Sequence, residues 1–152
     1  MKDSYKDLIS TLSQYMSEYR LNHVIRTAEC AKELATIWGV DSQKAYVAGL
    51  VHDIAKEMNP ESVASHGIVL EESDILLYKT FPSVWHAIIS PKVIQHLLLI
   101  EDDEILSACQ WHTTGKADMT LLEQVIFVAD ALEPERQFDH IQQVDHLQLI
   151  FF

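Results

Sequence analysis

The sequence predicts an all-α fold, and three observations carry that prediction. Apolar residues recur at helical spacing through most of the chain. Capping residues and stops punctuate these runs at helix-length intervals. No alternation of comparable quality marks a strand. At 152 residues the chain fits one domain with room for a proper core. The expectation is a single bundle spanning 1–152, built from about six to eight helices.

Residues 2 to about 19 place Leu8, Leu12, Tyr15, Met16 and Tyr19 on one helical face. A second helix, from about 21 to 38, carries Val24, Ala28, Ala31, Ala35 and Trp38 as its stripe, with Gly39 as the stop. His23 falls in its first turn, and Arg26 and Thr27 share roughly its face. Asp41 is the N-cap of a third helix running to about Glu57. Asn59-Pro60 opens a short helix that ends near His66-Gly67. Between 68 and 81 a helical turn or two is expected around Ser73 to Tyr78. Phe81-Pro82-Ser83 opens a run holding Trp85 and His86, which Ser90-Pro91 is expected to interrupt before a helix from 91 to about 98. Asp102 caps a helix with Ile105, Cys109 and His112 on one stripe, broken by Thr113-Thr114-Gly115. Thr120-Leu121-Leu122-Glu123 is a capping box for a helix to about Leu132, with Asp130 near its end. Pro134 stops that helix, Arg136 follows in the next turn, and Ile141, Val144 and Leu147 suggest a last helix.

Composition narrows the function. The formal charge of −12 is an unpromising field for nucleic acid or an anionic membrane, so neither is expected as a partner. A small polyanion would need local positive charge, which bound metal supplies. Cys30 and Cys109 make no CxxC, there is no signal-like start, and no apolar run reaches spanning length. The expectation is a cytoplasmic protein. The apolar terminus Leu149 to Phe152 either offers a partner surface for self-association, as in a homodimer, or folds back.

The chain is organised around Ala48 to Lys56, which holds the adjacent pair His52-Asp53 inside an apolar-periodic run. A buried, unpartnered polar group costs a few kcal/mol, and a cation satisfies both side chains at once. The two point about 100° apart on a helix, so the carboxylate is placed to bridge two ions while the imidazole binds one. Gly49, one turn before Asp53, makes room either for ions or for a close helix. The plain alternative is a surface His-Asp pair beside a packing glycine. Six candidate ligands emerge from five segments: His23, His52, Asp53, His86, His112 and Asp130. His66, His96, His140 and His146 fit surface or capping roles better, Cys109 a buried apolar one.

In that order these residues resemble the HD-domain metal-dependent phosphohydrolases. The resemblance rests on Arg20 with His23, Ala48 to Lys56, His86-Ala87, Trp111 to Gly115, Met119, and Ala129-Asp130 through Glu133-Pro134-Glu135-Arg136. It covers about residues 20–146 and is narrower still toward the YqeK-type symmetrical diadenosine tetraphosphate hydrolases of bacteria. It implies a bundle around a dinuclear centre, with two divalent ions, iron first and manganese or another transition metal as alternatives. One ion would take His23, His52, Asp53 and Asp130, the other His86 and His112, with Asp53 as the bridge. Such a pair acidifies a water into the nucleophile, so no serine or cysteine nucleophile is needed. The implied partner is a nucleotide, ADP or a dinucleoside polyphosphate. Asp53, Lys56 and Arg136 are the catalytic candidates; Lys56, Arg26, Thr113 and Arg136 are those for substrate. A surface ammonium for Lys56, a structural pair with Glu133 or Glu135 for Arg136, and helix capping for Thr113 and Thr114 are the alternatives.

Two departures stand out. Ile88-Ile89-Ser90-Pro91 replaces a usual glycine-alanine step and is expected to reshape the pocket rim. Relatives usually continue where this chain stops, so the C-terminal helical segment is expected to be shortened. The competing functional readings are an HD phosphohydrolase acting on another nucleotide and a non-catalytic nucleotide- or metal-binding module.

Overall fold

The computed structural model describes residues 2–133 and is all-α, with eight helices and no strand among the described residues. Pro134, Arg136, His140, His146, the expected last helix and the apolar terminus lie outside the described residues.

The first helix, α1 (Lys2–Leu12), ends earlier than its periodicity suggests, and α2 (Glu18–Trp38) begins earlier. Ser17 is the reason. Its hydroxyl accepts from the Arg20 N–H as the N-cap, while its own N–H and hydroxyl donate to the two Glu57 carboxylate oxygens, both at 2.7 Å. Tyr19, expected on the inward face of the first helix, is therefore 73% exposed on the second. His23 falls in the second turn of α2 rather than the first. Gly39 closes α2 at φ 74°, a left-handed conformation that glycine adopts without strain.

Asp41 caps α3 (Ser42–Val51) through the N–H groups of Gln43 and Lys44. This helix stops six residues short of the expected end. His52 Nδ1 donates to the Gly49 carbonyl at 2.7 Å, the acceptor that continued helix would need for Asp53. The chain then descends through i→i+3 turns from Val51 to Met58. Gly49 makes room for a helix: a β-carbon there would lie 2.6 Å from Ala28 Cα, so α3 lies almost backbone to backbone on α2.

Asn59 caps α4 (Pro60–Ser65) in a reciprocal box. His66 ends that helix, and its carbonyl accepts from His96 Nε2, so both histidines take the expected structural roles. Next comes α5 (Glu72–Thr80), longer than the turn or two expected. The following helix, α6 (Pro82–Leu98), runs through Pro91 without a break, contrary to expectation. Proline cannot donate to the Ala87 carbonyl four residues back. The Ser90 hydroxyl donates to it instead at 2.7 Å, so the acceptor is satisfied inside the core. Ile89 and Ser90 are buried there, and none of residues 88–91 lines the cleft described below. Contrary to expectation, residues 88–91 therefore sit away from the rim of that cleft.

Asp102 caps α7 (Asp103–Gln110), and the Thr120–Glu123 box starts α8 (Leu121–Leu132). The scaffold is α2 packed on α3 and α8, with α7 touching α3, α6 and α8. Its interior is lined by Leu12, Val24, Leu50, Ile54, Ile94 and Ile126, all fully buried. Trp85 also belongs to this core, edge-on to Tyr78. No helix among the described residues is long and apolar enough to cross a membrane.

Candidate metal centre

The helix ends of this scaffold deliver the six expected ligands to one place. His23 comes from α2, His52 and Asp53 from the turn leaving α3, His86 from α6, His112 from just beyond α7, and Asp130 from the last turn of α8. They form two groups that share one residue: His23, His52, Asp53 and Asp130, and Asp53, His86 and His112.

Asp53 is divided between them. Its Oδ2 lies 3.4 Å from His23 Nε2 and 3.5 Å from His52 Nε2. Its Oδ1 lies 3.2 Å from His112 Nε2 and 3.4 Å from His86 Nε2. Asp130 Oδ1 completes the first group, 3.0 Å from His23 Nε2 and 3.4 Å from His52 Nε2. A cation bound at about 2.1 Å holds neighbouring donors about 3.0 Å apart in octahedral and about 3.4 Å apart in tetrahedral geometry. The observed spacings, 3.0–3.5 Å, match that range to within 0.1 Å.

The tautomers fit as well. His52 Nδ1 and His112 Nδ1 each donate to a carbonyl, Gly49 at 2.7 Å and Cys109 at 2.6 Å, so their neutral forms turn Nε2 lone pairs inward. His52 Nε2 is buried and makes no hydrogen bond, although its residue has no exposed surface. His86 Nε2 and His112 Nε2 face each other at 3.2 Å. Uncompensated lone pairs aimed at a common point are what a cation resolves.

Electrostatics follow from this crowding. Burial opposes protonation of His23, but hydrogen bonds to Asp130 and Asp53, with the charge of both, raise its pKa to about 9. Burial likewise opposes a charge on His52, and the Asp53 and Asp130 carboxylates overcome it. His86 goes the other way, lowered by burial and by the charges of His112 and Lys56 against the pull of Asp53. Burial pushes Asp53 and Asp130 up, yet the surrounding imidazoles hold both well below the usual carboxylate range. Burial raises the Cys109 thiol, which lies 3.6 Å from the Ala48 carbonyl and behaves as a buried apolar residue.

A pH dependence follows for the metal-free protein. The folded pKa of His23, about 9, exceeds the ordinary histidine value of 6.5, so its stabilising contribution is complete below the latter and disappears as pH rises through the former. Calorimetry of chelator-treated protein should show a melting temperature falling between these limits. Divalent metal should reverse the trend, because its ligands bind deprotonated. A chelated melting temperature that rises through this interval would contradict the assignment.

A cleft of about 250 Å³ opens onto Asp53, His86, His112 and Asp130, with Lys56, Thr113, Phe127 and Ala131 at its walls. Lys56 is exposed there. Thr113 Oγ1 sits 3.4 Å from His86 Nε2. Arg26 turns its Nε to Glu133 Oε1. Arg136 lies outside the described residues.

Three further residues belong to the site; Arg20 and Glu133 lie in the blocks that carry the resemblance but had no role there, and Phe127 was not singled out. Arg20 Nη1 donates to Asp53 Oδ2 at 2.9 Å. Glu133, 1% exposed, places Oε2 3.2 Å from His23 Nδ1. Phe127 walls the cleft. Each stands three positions from a recognised ligand, Arg20 from His23 and the other two from Asp130, a same-face spacing that was the available signal.

Comparison with known proteins agrees with this geometry. The HD-domain family profile matches residues 20–135. The chain is 35% identical over 142 residues to the symmetrical bis(5′-nucleosyl)-tetraphosphatase of Bacillus subtilis, covering 93% of this chain and 76% of that one. It is 34% identical over 139 residues to the protein of the same name from Halalkalibacterium halodurans, covering 90% and 72%. The crystal structure of a protein described as an HD-superfamily hydrolase involved in NAD metabolism, from Clostridium acetobutylicum, matches with a TM-score of 0.80 at 30% identity, covering 95% of this chain and 76% of that one. With most of its length inside the matched profile and the histidines and aspartates gathered at one centre, the chain belongs to the HD-domain family.

Proposed function

We propose that this chain is a metal-dependent phosphohydrolase that cleaves diadenosine tetraphosphate symmetrically into two ADP. The observation that carries this reading is the division of Asp53, one carboxylate oxygen facing each donor group. Two divalent cations, when bound, supply Lewis acidity to phosphate oxygens and acidify a water. Iron is the proposed metal, with manganese or another transition metal as alternatives, since imidazole and carboxylate donors suit several ions.

The protein's own groups have separable tasks. Asp53 orients both donor sets through its two oxygens. Lys56 brings an ammonium to the cleft wall, where polyphosphate oxygens would lie. Thr113 offers a hydroxyl on the side of His86. Arg26 and Arg136 are proposed as guanidinium contacts to the same phosphates. Phe127 presents a ring on which a base can stack. The relatives' names support the substrate. A cytoplasmic location is part of the same reading.

Product analysis with diadenosine tetraphosphate, on protein loaded anaerobically with metal, tests the proposal. ADP as sole product is expected. AMP with ATP would refute symmetrical cleavage, and absence of turnover would leave a binding module. Lys56→Ala should keep its metal and lose about 1.5–3 kcal/mol of charge-assisted bonding, roughly 10- to 150-fold in kcat/KM. Unchanged steady-state kinetics in that variant would remove Lys56 from the site.

A further inference from the structure

We propose that Glu133 is a positioning residue that holds His23 as a metal ligand and makes the group containing His23, His52 and Asp130 the tighter of the two cation sites. This rests on the reading of the cluster as a metal centre. Glu133 follows the last residue of α8, where the negative end of the helix dipole disfavours a carboxylate. It is also buried, which disfavours its charge again. Something specific must compensate both, and two contacts do: Oε1 receives the Arg26 Nε–H, and Oε2 faces His23 Nδ1 at 3.2 Å.

The consequence lies on the other side of the ring. His23 Nε2 points at Asp130 and Asp53, so α8 grips both nitrogens of one imidazole, Nε2 through Asp130 and Nδ1 through Glu133. A proton kept on Nδ1 by Glu133 leaves the Nε2 lone pair for a cation. His52 and His112 are oriented by neutral backbone carbonyls, whereas His23 is oriented by a carboxylate. A carboxylate partner makes an imidazole a stronger donor than a carbonyl does. The His23 group also offers four donor residues against three. Both differences favour the same site.

Titration of the metal-free full chain with manganese(II) alone, followed calorimetrically, tests this. Wild type should show two binding events of unequal affinity. Glu133→Gln, which keeps an oxygen for Nδ1–H but loses the charge, should weaken the tighter event by about 10-fold and Glu133→Ala by up to about 100-fold, with the weaker event unchanged. A purely architectural role would instead lower the melting temperature and weaken both events together. Should Glu133→Ala not fold, the near-isosteric Gln variant decides. Affinities for both ions within about twofold of wild type in a folded variant would overturn the proposal. Metal-free crystal structures of wild type and variant give a second readout that needs neither metal nor turnover. The His23 ring should leave its place beside Asp130 in the Ala variant, and a ring that stays would overturn the positioning role. Wild type that binds no manganese would count against the proposed function, leaving Glu133 to be judged by the ring alone.

Discussion

Asp53→Ala is expected to bind neither cation and to lose turnover by on the order of 10³-fold or more. Each of its oxygens belongs to a different donor group, so one truncation strips both. It also removes the anion at the middle of the cluster. Arg20, whose Nη1 lies 2.9 Å from that carboxylate, would then be left beside His23 and His52 without it, and the two imidazoles would lose the anion that raises their affinity for protons. Removing one partner from a buried ionic cluster costs about 3–5 kcal/mol. Metal content, product formation and thermal melting are the measurements. Asp53→Asn separates the effects, since it keeps the shape and gives up the charge. A folded Asp53→Ala protein retaining a full complement of metal would show that the bridge lies elsewhere.

Gly49→Ala is the second large effect, and it acts on the scaffold. The added β-carbon would meet Ala28 Cα at 2.6 Å and Ala28 N at 3.0 Å. Those are backbone atoms, so no side chain can swing away and α2 must part from α3. Alanine gains about 1 kcal/mol of helix propensity, but overpacking of this kind costs typically 1–3 kcal/mol, occasionally more. The clash is with helix backbone, so the cost lies at the upper end of that range, and the net expectation is a loss of about 2 kcal/mol, or roughly 4–8 °C in melting temperature. Because α2 carries His23 and α3 leads into His52, metal affinity should fall as well. Ala28→Gly added to Gly49→Ala should rescue little, because the nearest clash is with Cα rather than the methyl. A single variant melting at or above wild type would mean that the helices do not approach this closely.

The helix count and most helix starts were legible because caps are local chemistry. Asp41, Asn59, Asp102 and Thr120 each accept from N–H groups within three residues. Ser17 uses the same chemistry but was hidden behind a periodicity that ran on through Tyr19. Pro91 was misread because the rule about proline concerns a lost donor, and Ser90 replaces that donor with its own hydroxyl. The third helix was drawn too long because apolar spacing continues past Val51, although the His52 ring takes the acceptor that the helix needs.

The sequence by itself determined the all-α class and the identities of the six side chains able to hold cations, since both depend on residue type and short-range spacing. It placed them on inward faces or near helix ends, and the resemblance implied their grouping around Asp53, but short-range pattern could not assemble them. Only the tertiary structure decided that Asp53 turns one oxygen to each group, that Arg20 joins it from 33 positions away, and that Glu133 reaches His23 across 110. The physical reason is range. Caps and periodicity act within a turn or two of chain, whereas a carboxylate's orientation and an imidazole's protonated nitrogen are set by whichever distant groups the packing of α2, α3 and α8 brings within hydrogen-bonding distance.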